Sequence, residues 1–293
     1  MSDTPVISEI AAAGLIVHVR VRSERLGPWG PEGGGVARRQ GRLAVEVVEV
    51  LKGRLDSPAG AVVDLEITER GPATGRVADY YGIWFHVPTA PGTELVGFCD
   101  GSSAALAEQL TDEHCSQLVE AATVLEDLHL ALGLDLGRLT ADRLIQEAGR
   151  LRSRGGALFA RYVWVNVRTA LVASPDRFAA LMRIAEDPAT VTSAQEAYLS
   201  AAYEDATVTE EWPTGSRARL ARAMMRAALH PADAELREPV LGVYLPNLLR
   251  APAPEPLAAR EVLGDRAELA EQVRSAPEAA HLRPWLDTPD GGS

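Results

Sequence analysis

The stretch from Arg42 to Gly53, RLAVEVVEVLKG, constrains the chain more than any other. Leu43, Val45, Val47 and Leu51 fall on odd numbers, and Glu46 and Glu49 interrupt the apolar run. Side chains of a strand alternate between faces, so this reads as a strand with one buried face and one partly wet face. Lys52-Gly53 ends it, because glycine reaches the positive φ angles that turns need. Such a strand carries backbone donors and acceptors on both edges, so its neighbours in the sequence must supply partners.

Those partners are visible on both sides. Leu15 to Arg22 reads as a first strand that alternates from Val17 onward, with Val17, Val19 and Val21 on one face and His18, Arg20 and Arg22 on the other. Leu26 to Gly41 is rich in Gly and Pro and reads as a long loop around Trp29. Trp29, with Arg38 and Arg39 in the same loop, is a candidate partner-binding anchor, since exposed aromatics make good interface hot spots; the alternative is that Trp29 folds back over the barrel mouth. Ala61 to Thr68 is a third strand and Tyr80 to Val87 an aromatic-rich fourth. Pro88 and Pro91-Gly92 then introduce a last strand, Thr93 to Cys99. Short strands at this density suit a small barrel or sandwich, and barrel closure would remove exposed edges.

The order of these elements carries a resemblance. A first strand, a long loop, a Val-rich strand ending in Val50-Leu51-Lys52-Gly53 and a later strand ending near Phe98-Cys99 resemble the netrin/TIMP-like variant of the OB barrel. The resemblance implies an OB-like β barrel in the first third of the chain. The Cys-x-Cys start of the inhibitory TIMPs is absent, so no site residues carry over from that family.

After Gly101 the hydrophobic period changes from two to about 3.6. Thr111 is placed to cap a helix bearing Leu118, Leu125, Leu128 and Leu132, and Thr140 to cap a second one bearing Leu144, Ile145, Ala148 and Leu151. Ala157 to Ala173 is apolar nearly all round and reads as a central helix. Ser174-Pro175 pairs a capping residue with proline at the first helical position, and Ser193 with Glu196 fits a capping box. Further helices are expected from Ser216, across Ala232 to Leu249, and from Leu257 to Arg274. The expected fold class is therefore α+β: an OB-like β barrel over residues 1–101, an all-α bundle or HEAT-like domain over 102–286, and a disordered tail over 287–293.

Charge and motifs narrow the function. A net charge of −12 disfavours nucleic acid and anionic membranes as partners, because both select cationic surfaces. No run is long enough to span a bilayer, and the start has no basic n-region, so a cytoplasmic protein is expected; an extracytoplasmic one is the alternative if a leader has been removed. The two cysteines, Cys99 and Cys115, form no metal-binding spacing and are read either as buried thiols or as a disulfide joining the β domain to the first helix.

Glu126 and His129 have the Glu-x-x-His spacing of a di-iron helix, but a second copy is missing, and the adjacent Asp112 to Cys115 cannot all face one ion. No metal and no cofactor are assigned. Nucleophile-elbow and phosphate-loop patterns are absent. His18 and His86, in two expected strands, could form a polar ligand site with Asp64 if they faced one barrel mouth. The expected function is a non-enzymatic binding or scaffold protein with a protein partner. An enzyme of hydrolase or tailoring type, with its site between the domains, is the alternative. A homo-oligomer is allowed but not required.

Overall fold

A computed structural model describes residues 10, 12–33, 36–55, 59–72, 90–99, 109–110, 115–134, 139–230, 234–251 and 256–287. The chain divides into two compact units, Met1–Gly137 and Arg138–Ser293, the first built on a sheet and the second on helices. This is the α+β class that the change of period implies.

The first unit contains β1 (Leu15–Leu26), β2 (Gly30–Gly33), β3 (Val36–Lys52), β4 (Val62–Pro72), β5 (Glu94–Cys99), β6 (Gln109–Leu110), β7 (Cys115–Glu120) and then helix α1 (Ala121–Leu132). The strands lie in the order β6-β4-β3-β1-β5-β7, with β2 also paired to β3. The pairings are antiparallel except for β4 with β6. Among the described residues this path is open, with β6 and β7 at its ends.

The Val-rich run is the C-terminal part of β3, and β1 lies along it with Val19 opposite Val47, Arg20 opposite Glu46 and Val21 opposite Val45. Val17, Val19, Val21, Leu43, Val45, Val47, Val63, Leu65 and Leu95 form one buried apolar face. Each full burial of such a side chain is worth about 1.5–3 kcal/mol. A slip of one residue would turn all of them to the other face, so the alternation enforces the register. Gly53 ends β3 at φ 82°, and a side chain there would collide with the Gly14 carbonyl.

Two segments of this unit depart from the sequence expectation. Leu26 to Gly41 is mostly strand: β1 runs to Leu26, β2 takes up Gly30–Gly33, and β3 begins at Val36. Backbone pairing tolerates Gly and Pro where one edge is open. The helix expected from Thr111 begins only at Ala121, because Leu118 and Val119 pair with Gly97 and Val96 as strand β7. The need of β5 for a second backbone partner outweighs local helical spacing. Cys99 is disulfide-bonded and stands opposite Cys115, the chain's other cysteine, so the thiol reading gives way to the bridge. The bridge joins two strands, not strand to helix. The expected strand Tyr80 to Val87 lies outside the described residues.

The second unit contains α2 (Ala141–Leu151), α3 (Ala157–Val172), α4 (Pro175–Ala185), α5 (Thr192–Val208), α6 (Thr214–Leu229) and α7 (Ala234–Pro239). A π turn, Val240–Tyr244, leads to α8 (Leu245–Arg250), followed by α9 (Ala259–Leu263), α10 (Ala267–Ser275), a 3-10 turn (Pro277–Leu282) and α11 (Arg283–Asp287). The Thr140 and Ser174 side chains accept from the amides of Arg143 and Arg177, as capping requires. Ser193 is not a cap: α5 starts at Thr192, after Val191. The long final helix breaks at Gly264, which has φ 58°.

From α2 to α6 each helix packs on the next and on the next but one. That is the contact pattern of stacked helix pairs. At the centre, Trp212 stacks on Trp164 with ring centroids 5.9 Å apart and meets Phe178 edge-on at 5.3 Å. The Trp164 indole N–H is satisfied by Asp205 at 2.7 Å. Among the described residues no helix is long and apolar enough to cross a membrane.

Two measurements check this fold. Thiol titration of the denatured, unreduced protein should find no free thiol, and reduction should lower stability by about 3 kcal/mol, the loop-closure value for a bridge of this span. Gly53→Ala should cost more than about 1 kcal/mol in chemical denaturation, since both the backbone angle and the space oppose a side chain.

Candidate functional site

The face of the β1–β3 ladder opposite the valines carries charge in an ordered row. Arg20 lies between two strands, directly opposite Glu46 on β3 and Glu94 on β5. Its Nη2 and Nε donate to Glu94 Oε1 at 2.6 and 3.0 Å. Its Nη1 lies 3.8 Å from Glu46 Oε2, and Arg22 also donates to that carboxylate. The second oxygen of Glu94 accepts from His18 Nε2 at 3.1 Å. His18 is buried, at 5 % exposure. The hydrogen bond from Arg20 holds the Glu94 carboxyl below the usual carboxylate range, with His18 acting in the same sense and burial opposing it. Glu94 in turn raises Arg20.

Beside this row, α1 packs against β5 and β3. An open groove of about 780 Å³ lies there, lined by Thr93, Glu94, Glu120, Leu125, Glu126 and His129 among others. His129 approaches Glu49 at 3.6 Å. The charged side chains of the Arg20 row are engaged with one another, which is the arrangement of a structural ladder. Among the described residues no three His, Cys, Asp or Glu side chains are placed to share a metal ion.

The sequence grouped His18 with His86 and Asp64. His86 lies outside the described residues. His18 is opposite Glu49 and Asp64 is opposite Ala44, on the far side of β3. Five residues of strand and two strand spacings separate them, or ~16 Å in one direction and ~10 Å in the other. Asp64 instead lies 3.5 Å from Arg42. The partner that His18 does find, Glu94, was missed. Its place at the start of the last expected strand was readable, but the pairing of β5 with β1 was not.

Trp29, Arg38 and Arg39 come together more closely. Leu26 pairs with Gly41 and Gly30 with Arg38, so four steps along one strand match three along the other. The extra residue makes a bulge at Gly27-Pro28-Trp29, and bulges re-aim side chains out of the ladder. The Gly27 amide donates to the Gln40 carbonyl at 2.8 Å, an approach that leaves little room for a side chain at Gly27. Trp29 is consequently 48 % exposed. The Arg39 guanidinium lies over its ring, 4.6 Å from the centroid. A shallow cleft of about 510 Å³ runs along the bulge between Pro28, Pro31, Arg38 and Gln40. Arg38 is exposed on the same arm.

No protein-family model matches the chain, and neither the curated proteins nor the solved structures contain a match. The functional reading therefore rests on this geometry.

The Glu94 row generates a pH test. A carboxylate whose folded pKa is depressed adds stability above its unfolded pKa, near 4.3, and loses it as pH falls through the folded value. Glu94→Gln should therefore be less stable than the parent at pH 7, and the gap should narrow steadily as denaturation is repeated from pH 5 down to pH 3.

Proposed function

We propose that the protein is a non-enzymatic binding or scaffold protein that engages a protein partner through the bulged arm around Trp29. The observation that carries this reading is the exposed indole held under Arg39. A large aromatic ring fixed by a guanidinium presents rigid apolar area at low entropic cost, and Trp and Arg dominate the energetics of interfaces. In this reading the first unit is an OB-like barrel of the netrin/TIMP-like kind, with the arm projecting from it. The second unit is HEAT-like and offers a helical groove to the partner; its stacked-pair contacts support this. The engaged state of the Arg20 row favours a structural role for the polar sheet face over a catalytic one.

The bonded Cys99 bears on location. Most cytosols keep thiols reduced, so the bridge favours the extracytoplasmic alternative weighed from the sequence. The net charge of −12 supports a partner that is neither nucleic acid nor an anionic membrane.

The test uses a photo-crosslinking residue in place of Arg38, expressed in the native host. It should trap one protein partner. In direct titration with that partner, Trp29→Ala should weaken binding by about 30-fold, the ~2 kcal/mol of a hot spot. Arg39→Ala should weaken it less, and both variants should keep the parental melting temperature. Full affinity in Trp29→Ala would overturn the reading.

A further inference from the structure

Arg219, Arg222 and Arg226 follow one another on α6 at spacings of three and four, so they share one helix face. Arg219 is committed to Glu186, with contacts of 2.9 and 3.3 Å. Arg222 Nε donates to the Val262 carbonyl at 2.6 Å, near the C-terminal end of α9. Arg266, just beyond α9, is near enough to act on Arg222 through its charge. Three further guanidinium groups, those of Arg219, Arg226 and Arg266, are thus near enough to act on Arg222, and the Glu186 carboxylate, paired with Arg219, acts on it in the opposite sense. Among the described residues the side chains of Arg226 and Arg266 form no ion pair or hydrogen bond. In a chain with a net charge of −12 this is a concentration of unbalanced positive charge. Burial first, and then the charges of Arg266, Arg226 and Arg219, hold Arg222 below the usual arginine range against the pull of Glu186.

A cavity of about 250 Å³ opens beside this face, where α4, α5 and α6 meet. Glu186, Thr190, Thr192, Gln195, Arg226 and His230 are on its wall. The carboxylate there is already matched by Arg219, which leaves Arg226 as the uncommitted charge. A basic residue in the last turn of a helix also suits the helix dipole. The dipole explains Arg226 alone; it does not explain why Arg266 as well as Arg226 is close enough to act on Arg222, one turn earlier on the same helix face.

We propose that this cavity is an oxyanion site that takes the phosphate group of a small molecule, with Arg226 as its principal ligand. The planar guanidinium fork matches a phosphate in charge and geometry. The Thr192 side chain supplies a hydroxyl donor on the same wall, and the anion would offset the mutual repulsion of the arginines.

The experiment is thermal denaturation of the full chain in increasing inorganic phosphate, with chloride at matched ionic strength as the reference. The parent should show a phosphate-specific rise in melting temperature that follows single-site binding. Arg226→Gln, at an exposed position that should fold normally, should weaken phosphate binding at least fivefold. Arg183→Gln, an exposed arginine on α4, should bind phosphate like the parent. Equal responses to phosphate and chloride would overturn the proposal. So would phosphate binding that survives Arg226→Gln, or that is lost equally in both variants.

Discussion

Val19 stands opposite Val47 and Arg20 opposite Glu46, and nearly everything in the first unit depends on that register. It places the valines of β1 and β3 in one apolar layer and assembles the Arg20 row on the reverse face. One geometric fact therefore sets both the burial that stabilises the sheet and the ion pairs that line its other face. The half-exposed ion pairs contribute modestly to stability. Their larger effect is on uniqueness, since a slipped ladder would bury Arg20 and Glu46 and expose the valines.

The same ladder aims Trp29. Beyond Leu26 the pairing continues through β2 rather than ending, and the extra residue at Gly27-Pro28-Trp29 is absorbed as a bulge. Without the bulge, regular alternation would carry the residues after Leu26 on in step with β3. With it, the indole leaves the ladder and meets Arg39. The proposed binding role is thus a consequence of where the sheet fails to be regular.

The strands of the core were readable in the sequence because alternation is a local property, and Arg42 to Lys52 shows it plainly. Capping at Thr140 and Ser174 was readable for the same reason. What escaped was non-local. Leu118 has helical spacing to Leu125, yet it pairs with Gly97 because β5 needs a partner on its second edge. The Gly- and Pro-rich segment read as a loop, yet its backbone pairs with β3. At the candidate sites, Trp29, Arg38 and Arg39 lie near one another because they share one hairpin. His18 and Asp64 were grouped across strands whose order the sequence does not state, and they lie apart. The disulfide belongs to the same class: two cysteines sixteen positions apart became neighbours only once β5 and β7 were paired.

The account stands on the bulged register of the β1–β2 edge against β3, and interstrand proton contacts measured by NMR in the full chain test it most directly. The account predicts contacts joining Val19 to Val47 and Leu26 to Gly41, and then Gly30 to Arg38. Contacts joining Gly30 to Ala37 would show an unbroken ladder with no bulge, and would contradict the placement of Trp29 from which the proposed function follows.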